Sequence, residues 1–290
     1  MSLPMRMASR IITPDPGKAA ELRASFTAAG GRTVLAGKYH TAPLKIAKAF
    51  PLEHQLGVIM MDVSPGLLDR DCYELIWDAD TGACVHLTNQ SYTKVHPCQP
   101  DSRAIMKQSF RLGEHSVVES MMEPVMLYMD AALYNETNVE LKPGAVWMQS
   151  EVLCPGRVLR GERFRYRELD NRLRVYYDGE LIFAQRQRVI PALHQIEGPG
   201  AWEGYSHLGT FYCFSDAVRP GHAGEVRIAL ESCPVRPGRE VKTGVSLTSR
   251  HGLAVMVAGN TAWEVQKVLL AAWQAVRRLL LGWPPLRFRK

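Results

Sequence analysis

The sequence predicts a mainly β protein, an irregular layered arrangement of many short strands closed by one C-terminal α-helix. Three observations carry this. Turn signals recur about every ten residues between residues 31 and 257. One of them, Asp178-Gly179, is a two-residue hairpin turn flanked by alternating apolar residues. Only the segment after about residue 260 changes to helical spacing. With 290 residues, 46% hydrophobic and 22% charged, the chain can bury a core and falls outside disordered compositions. The length allows one large domain or two ordinary ones, and because extended all-β folds run long, a single unit over residues 1–290 is among the allowed arrangements.

In chain order, residues 10–30 read as a short, weak helix. The strand-rich core follows, over about 31–257, punctuated by Ser64-Pro-Gly66, Asp78 to Gly82, Leu112-Gly113, Lys142-Pro-Gly144, Cys154-Pro-Gly156, Asp170-Asn171 and Asp178-Gly179. Leu133, Asn135, Thr137, Val139 and Leu141 alternate with Tyr134, Glu136, Asn138 and Glu140, so a half-buried strand with a mostly apolar face lies there. Leu173, Val175, Tyr177 and Leu181, Phe183 flank Asp178-Gly179, whose type I′ turn needs positive φ at both positions. No fixed-period repeat occurs, so a regular solenoid with sequence repeats is not supported. At the end, Thr261 and Glu264 form a capping box, Val265, Val268, Leu269, Ala272, Trp273, Val276 and Leu280 keep helical spacing, and Gly282 with Pro284-Pro285 stops the run. This places a helix over about 262–281, reading as a lid on the β core.

The net charge of +6 is unevenly placed. Residues 1–50 and 251–290 together carry +11, and residues 51–150 carry −8. Segregated charge of this kind favours docking on acidic and basic proteins over coating nucleic acid. Six cysteines without a CxxC pair form neither a disulfide framework nor a zinc knuckle, which points to a reducing compartment. No secretory signal is visible, and the apolar stretch Trp263 to Leu281 is interrupted by Glu264, Lys267, Arg277 and Arg278, so a membrane span is not expected.

Enzyme motifs fail on inspection. Gly31 to Lys38 has five residues between its glycines and Tyr39 in place of the Ser or Thr of a phosphate loop. Gly204-Tyr-Ser206-His-Leu-Gly209 misses a nucleophile elbow by one residue and reads as a turn. Gly82 to Cys98 is richer. As one unbroken strand it would place Cys84, His86, Thr88, Gln90, Tyr92, Lys94, His96 and Cys98 on a single polar face, fit to line a wet channel or an interface. Cys84 with His86 and His96 with Cys98 are candidate metal ligands, but the pairs would lie about 33 Å apart along an extended strand. The methionines of Met121 to Met129 read as adaptable packing, with Glu123 before Pro124 either a solvated turn or a buried channel contact. Glu119, Glu123 and Glu151 could instead serve a ligand-binding or hydrolytic β domain as paired carboxylates.

Several blocks together resemble the UreD (UreH) family of urease accessory proteins over nearly the whole chain. The most specific is Leu87 to Val95, similar to a family signature of threonines, glutamine and Thr-Lys-Val. Thr33-Val-Leu35, Pro43-Leu-Lys45, Ser64-Pro-Gly66 with Asp71, Glu123-Pro124, Cys154-Pro-Gly156-Arg157 with Gly161-Glu162, and Arg172 to Phe183 match further blocks. Leu68-Asp69-Arg70, Asn89 and His96 depart from the pattern. The resemblance implies a stacked, helix-like winding of strands. It implies a non-catalytic cytoplasmic scaffold that binds urease apoprotein, recruits UreF and the GTPase UreG into a hetero-oligomeric complex, and passes nickel along a polar path. It implies no tightly bound cofactor, only transient nickel. Asp71, Thr88, Gln90, Thr93, Lys94, Glu123, Pro124, Glu151, Gly156 and Arg157 are the interaction or channel candidates on this reading. A dedicated nickel metallochaperone using Cys84, His86, His96 and Cys98 is the principal rival.

Overall fold

Strand propensity and turn chemistry act together from the first described residues. The computed structural model describes residues 17–236, 238 and 240–286. The chain forms β1 (Ala19–Ala29), β2 (Arg32–His40), β3 (Leu44–Pro51), β4 (Leu56–Asp62), β5 (Cys72–Ala79), β6 (Cys84–Asn89), β7 (Thr93–Val95), β8 (Ala104–Leu112) and β9 (Val117–Met121). There follow β10 (Val125–Leu127), β11 (Ala132–Leu141), β12 (Val146–Cys154), β13 (Glu168–Tyr177), β14 (Glu180–Val189) and β15 (His207–Phe214). Helix α1 (Pro220–Glu231) precedes the hairpin β16 (Val241–Leu247) and β17 (Gly252–Gly259), and α2 (Ala262–Leu281) closes the fold.

The strands divide between two sheets. One has the order β14-β13-β11-β8-β5-β1-β2, the other β16-β17-β15-β12-β9-β6-β4-β3 with β10 and β7 attached beside β12. In the middle the chain alternates between sheets, one strand in each per coil, so neighbours within a sheet are successive coils and pair in parallel: β1, β5, β8, β11 and β13 in the first, β4, β6, β9 and β12 in the second. This is an irregular two-sheet β-solenoid, the winding that the family resemblance implies. Hairpins cap both ends.

Three turn signals acquire a common purpose. The turns at residues 80–83, 113–116 and 142–145 stack on one another, with Gly82 N–H donating to Glu114 O at 2.9 Å and His115 N–H to Pro143 O at 3.1 Å. Gly82 (φ 71°) and Gly144 (φ 73°) occupy the left-handed region that these corners require. Ladders of inward side chains then fill the space between sheets, as in Ala24-Trp77-Phe110-Val139-Val175 facing Leu56-Val85-Val118-Trp147-Phe214. Trp77, Phe110, Trp147 and Phe214 are fully buried. Each such side chain contributes about 1.5–3 kcal/mol of transfer free energy. A second core lies outside the second sheet, where Val117, Val146, Met148, Phe211, Cys213 and Val255 meet Val265, Val268, Leu269, Ala272 and Val276 of α2.

Several expectations hold in detail. Asp178 (φ 48°) and Gly179 (φ 84°) make the β13–β14 turn. The Thr261 hydroxyl accepts the Glu264 N–H at 3.3 Å, and Gly282 (φ 65°) ends α2, which covers the β core as a lid. Others are corrected. The expected helix within residues 10–30 is strand β1 over its described part; residues 10–16 lie outside the described residues. Ala19, Ala20, Glu21, Leu22 and Arg23 favour helix by propensity, but pairing on both edges, antiparallel to β2 and parallel to β5, decides the outcome. Gly82 to Cys98 is not one strand: β6 ends at Asn89, and a turn at residues 90–92 precedes β7, which pairs with β10 instead. His207 opens β15 and does not lie in a turn.

Candidate functional site

The inward ladders are apolar except in the middle of the stack, where adjacent coils place polar residues in register. In the first sheet Gln108 pairs with Thr137, and Asn135 with Asn171. In the second, Ser120 pairs with Gln149, Gln149 with Tyr212, and Glu151 with Thr210. Period two turns Glu151 inward, beside Gln149 on the same strand. Both Asn171 and Asn135 donate side-chain N–H bonds to its carboxylate, the latter at 3.2 Å, and Asn135 also donates to Asn171 Oδ1 at 2.9 Å. Burial raises the Glu151 carboxyl to about 7, the two asparagine bonds opposing it only partly.

These residues surround a file of three small cavities. The first, about 30 Å³, is lined by Asp62, Asn89, Gln90, Ser91, Thr93 and apolar neighbours. The second, about 30 Å³, shares Asn89 and Thr93 with it and adds Gln108, Glu123, Gln149 and Glu151. The third, about 20 Å³, shares Gln149 and Glu151 and continues past Asn171, Gln185, Gln187 and Thr210. Each is large enough for a water or two. Gln108 Oε1, Asn135 Oδ1 and Gln149 Oε1 are buried acceptors without a protein donor, so the interior offers oxygen atoms to whatever occupies it. A larger hollow of about 1040 Å³ lies elsewhere, past the strand ends of the first sheet, with Asp78 paired to Arg111 and Lys142 to Asp178 at its rim.

The sequence candidates divide around this file. Gln90, Thr93, Glu123 and Glu151 line it. Thr88 points to the other face of β6 and donates to Met121 O at 2.7 Å. Pro124 is buried, its carbonyl accepting Thr93 N–H at 2.9 Å and so tying the Glu123 turn to β7. Glu123 is fixed twice more, its N–H donating to Asn89 Oδ1 at 2.6 Å and its carboxylate accepting from Gln266 of α2 at 3.1 Å. Asp71 is buried away from the cavities, accepting Lys18 N–H and Leu68 N–H at 2.8 Å each. Lys94 is exposed. Gly156 (φ 133°) lets the chain pass the Glu162 carbonyl, where a Cβ would come within 2.0 Å; Arg157 pairs with Glu162 and lies 4.0 Å over the Tyr128 ring.

The metal candidates separate. Cys84 and His86 lie under α2, where His86 stacks on Trp273 at 5.2 Å and its Nδ1 is 3.6 Å from Glu119. His96 packs edge-on against Tyr128, with Nε2 3.1 Å from Pro65 O, and Cys98 donates to backbone carbonyls. Among the described residues no three His, Cys, Asp or Glu side chains converge for a metal ion. The carboxylates separate as well. Glu119 faces outward and is locked to Arg277 of α2, with Gln55 donating to it at 2.8 Å. Burial opposes its ionisation, but the neighbouring His86 imidazole and the Arg277 charge outweigh this and lower its pKa. Glu123 and Glu151 do share a cavity, yet about 30 Å³ is far below the roughly 300–1,000 Å³ of ligand pockets.

Fold and interior together define a two-sheet β-solenoid with buried polar side chains beside three small interior cavities, the outer face of its second sheet covered by a C-terminal helix. The chain belongs to the UreD family of urease accessory proteins, whose description, UreD urease accessory protein, matches residues 18–290. Among its relatives, urease accessory protein UreD of Acetivibrio thermocellus is 31% identical over 255 residues, covering 87% of this chain and 95% of the relative. UreD of Arthrobacter sp. (strain FB24) is 31% identical over 280 residues, 93% of each chain. Urease accessory protein UreH of Helicobacter hepaticus is 28% identical over 188 residues, 65% of this chain and 74% of the relative. No helix among the described residues is long and apolar enough to cross a membrane.

Proposed function

We propose that the chain is a non-catalytic cytoplasmic scaffold in urease maturation, which binds urease apoprotein, recruits UreF and the GTPase UreG, and lets nickel ions travel through its interior to the enzyme. The observation that carries the transit reading is the file of cavities, in which the lining side chains Gln108 and Gln149 hold amide oxygens without a protein donor. A cavity of about 30 Å³ does not admit a full hydration shell, so carbonyl and carboxylate oxygens would replace part of it. Oxygen ligands hold a borderline divalent ion weakly, which permits release; a fixed Cys/His site would retain it. Glu151 supplies the one carboxylate common to the second and third cavities.

Nickel content of urease purified after co-expression tests this. Glu151→Leu and Gln149→Leu, which fill the cavities with hydrocarbon, should lower nickel content at least tenfold while urease, UreF and UreG still co-purify. Normal nickel loading with folded variants would overturn the transit reading. Stoichiometric, tight nickel retention by the isolated chain would favour the metallochaperone.

A further inference from the structure

The two ends of the solenoid are electrostatically unlike. At the N-terminal end, β2 is the edge of the first sheet and β3 the edge of the second, so both sheets expose unpaired backbone N–H and C=O groups on the same side of the stack. Residues 22–52, which include both edges, contain no Asp or Glu. Arg32, Lys38, Lys45 and Lys48 are exposed along them, and none forms an ion pair with a described residue; Lys48 lies 4.8 Å over the Phe50 ring. Exposed apolar side chains stand between the cations, with Val34 at 41% and Tyr39 at 54% exposure. The bordering carboxylates are already engaged: Glu21 with Arg23, Asp62 with Ser64 N–H at 2.8 Å, and Glu53 3.6 Å from His54.

The far end contrasts. Edge strand β14 and its neighbour β13 interleave Arg172, Arg186 and Arg188 with Asp170 and Glu168 in ion pairs, and Lys242 of edge strand β16 is paired with Glu203 at 2.9 Å. Lysines on an edge strand deter pairing between identical copies. That role explains a few cations on each edge. It does not explain why one end carries only unsatisfied positive charge on both sheets while the other is neutralised.

We infer that the β2–β3 end is a docking surface for an acidic protein segment in extended conformation, which adds to the open edge by strand pairing and is selected by its carboxylates. The same charges that reject a second copy of this chain complement such a partner. The first sixteen residues carry Arg6 and Arg10 against Asp15, the same sign as the edge, so they do not supply the complement. From the proposed function this takes only that the chain works in a complex, and it does not depend on the ion path.

The test uses the full chain and two labelled ten-residue probes, one alternating valine with glutamate, the other of similar charge with prolines that block strand pairing. Fluorescence anisotropy should show binding of the first probe, weakened about tenfold or more by Arg32→Glu/Lys38→Glu/Lys45→Glu/Lys48→Glu and by raising salt from 0.1 to 0.5 M. Hydrogen exchange should slow at β2 or β3 amides when it binds. Should the fourfold variant fail to fold, the corresponding Gln variant and single Lys45→Glu serve in its place. Equal binding of the proline probe would overturn strand addition. Equal or tighter binding of duplex DNA or anionic vesicles would overturn the choice of a protein partner, and no binding of the alternating probe would overturn the inference altogether.

Discussion

Replacing Glu151 by Gln should abolish the pH dependence of stability that this interior carboxyl contributes. In the folded chain this carboxyl titrates at about 7, against 4.5 for the ordinary group, because burial penalises its charge. A raised pKa in an acid means that the native state holds the proton more tightly than the unfolded chain. The associated stability is fully present below about pH 4.5 and is lost as pH rises through about 7. A difference from 4.5 to about 7 corresponds to about 3 kcal/mol of destabilisation at pH 9 relative to pH 4. Glutamine has nearly the same shape and no charge. Its amide can keep only one of the two bonds donated by Asn171 and Asn135, at a cost of about 1 kcal/mol. The variant should therefore melt slightly below the parent at pH 5 and about 2 kcal/mol more stable at pH 9. For a chain of this length that is a Tm increase of about 3 °C. Thermal unfolding followed by circular dichroism from pH 5 to 9 measures both arms. Parallel curves for parent and variant across that range would refute the assignment of Glu151 as the titrating interior carboxyl.

Three further outcomes follow from the geometry. Arg277→Met alone should cost about 3–5 kcal/mol in urea unfolding, since it strands the buried Glu119 charge, whereas Arg277→Met with Glu119→Gln should recover much of the loss. Asp71→Ala should remove about 2 kcal/mol or more by uncapping Lys18 N–H and Leu68 N–H, while Lys94→Ala at its exposed site should stay within about 0.5 kcal/mol, both read from chemical denaturation. Gly156→Ala should destabilise the Arg157–Glu162 loop, because φ is 133° and the added Cβ meets the Glu162 carbonyl; rapid hydrogen exchange at Phe164 N–H, which normally bonds Pro155 O at 2.9 Å, would report it.

Much of this architecture is legible in residues whose meaning is local. Asp178-Gly179 can hardly be anything but a hairpin turn, and the Thr261 cap, apolar stripe and Gly282 stop define α2 without tertiary information. Strands in the second sheet are less readable because α2 covers their outer face. In β6 five of six residues are buried, so alternation no longer separates inside from outside. Helix α1 carries Pro220, Gly221 and Gly224 and little amphipathic pattern, which leaves it silent in the sequence. The buried polar cluster was half visible. Asn135 and Thr137 sit among Leu133, Val139 and Leu141 on the face that turns inward, an anomaly that signals a polar interior. Gln108, Gln149 and Asn171 complete it only through register between strands well separated in sequence, as Asn135 and Asn171 are, 36 residues apart. Asp71 illustrates the converse: its place in a family-like block does not distinguish a channel wall from a buried turn cap.

The bond between Gln55 and Arg277, at 3.0 Å, spans 222 positions. On a ribosome the coils can stack as they emerge, since each strand pairs with the next coil. The outer face of the second sheet, with Val117, Val146, Met148 and Phe211, nevertheless stays bare until α2 has left the exit tunnel. While its strands are being made the nascent chain therefore presents an adhesive hydrocarbon wall, and α2 with Arg277 closes it only after every strand has been synthesised. Truncation just ahead of α2 would leave every coil complete and the wall still open, so shortened chains should be retained by cellular chaperones long after their strands have formed.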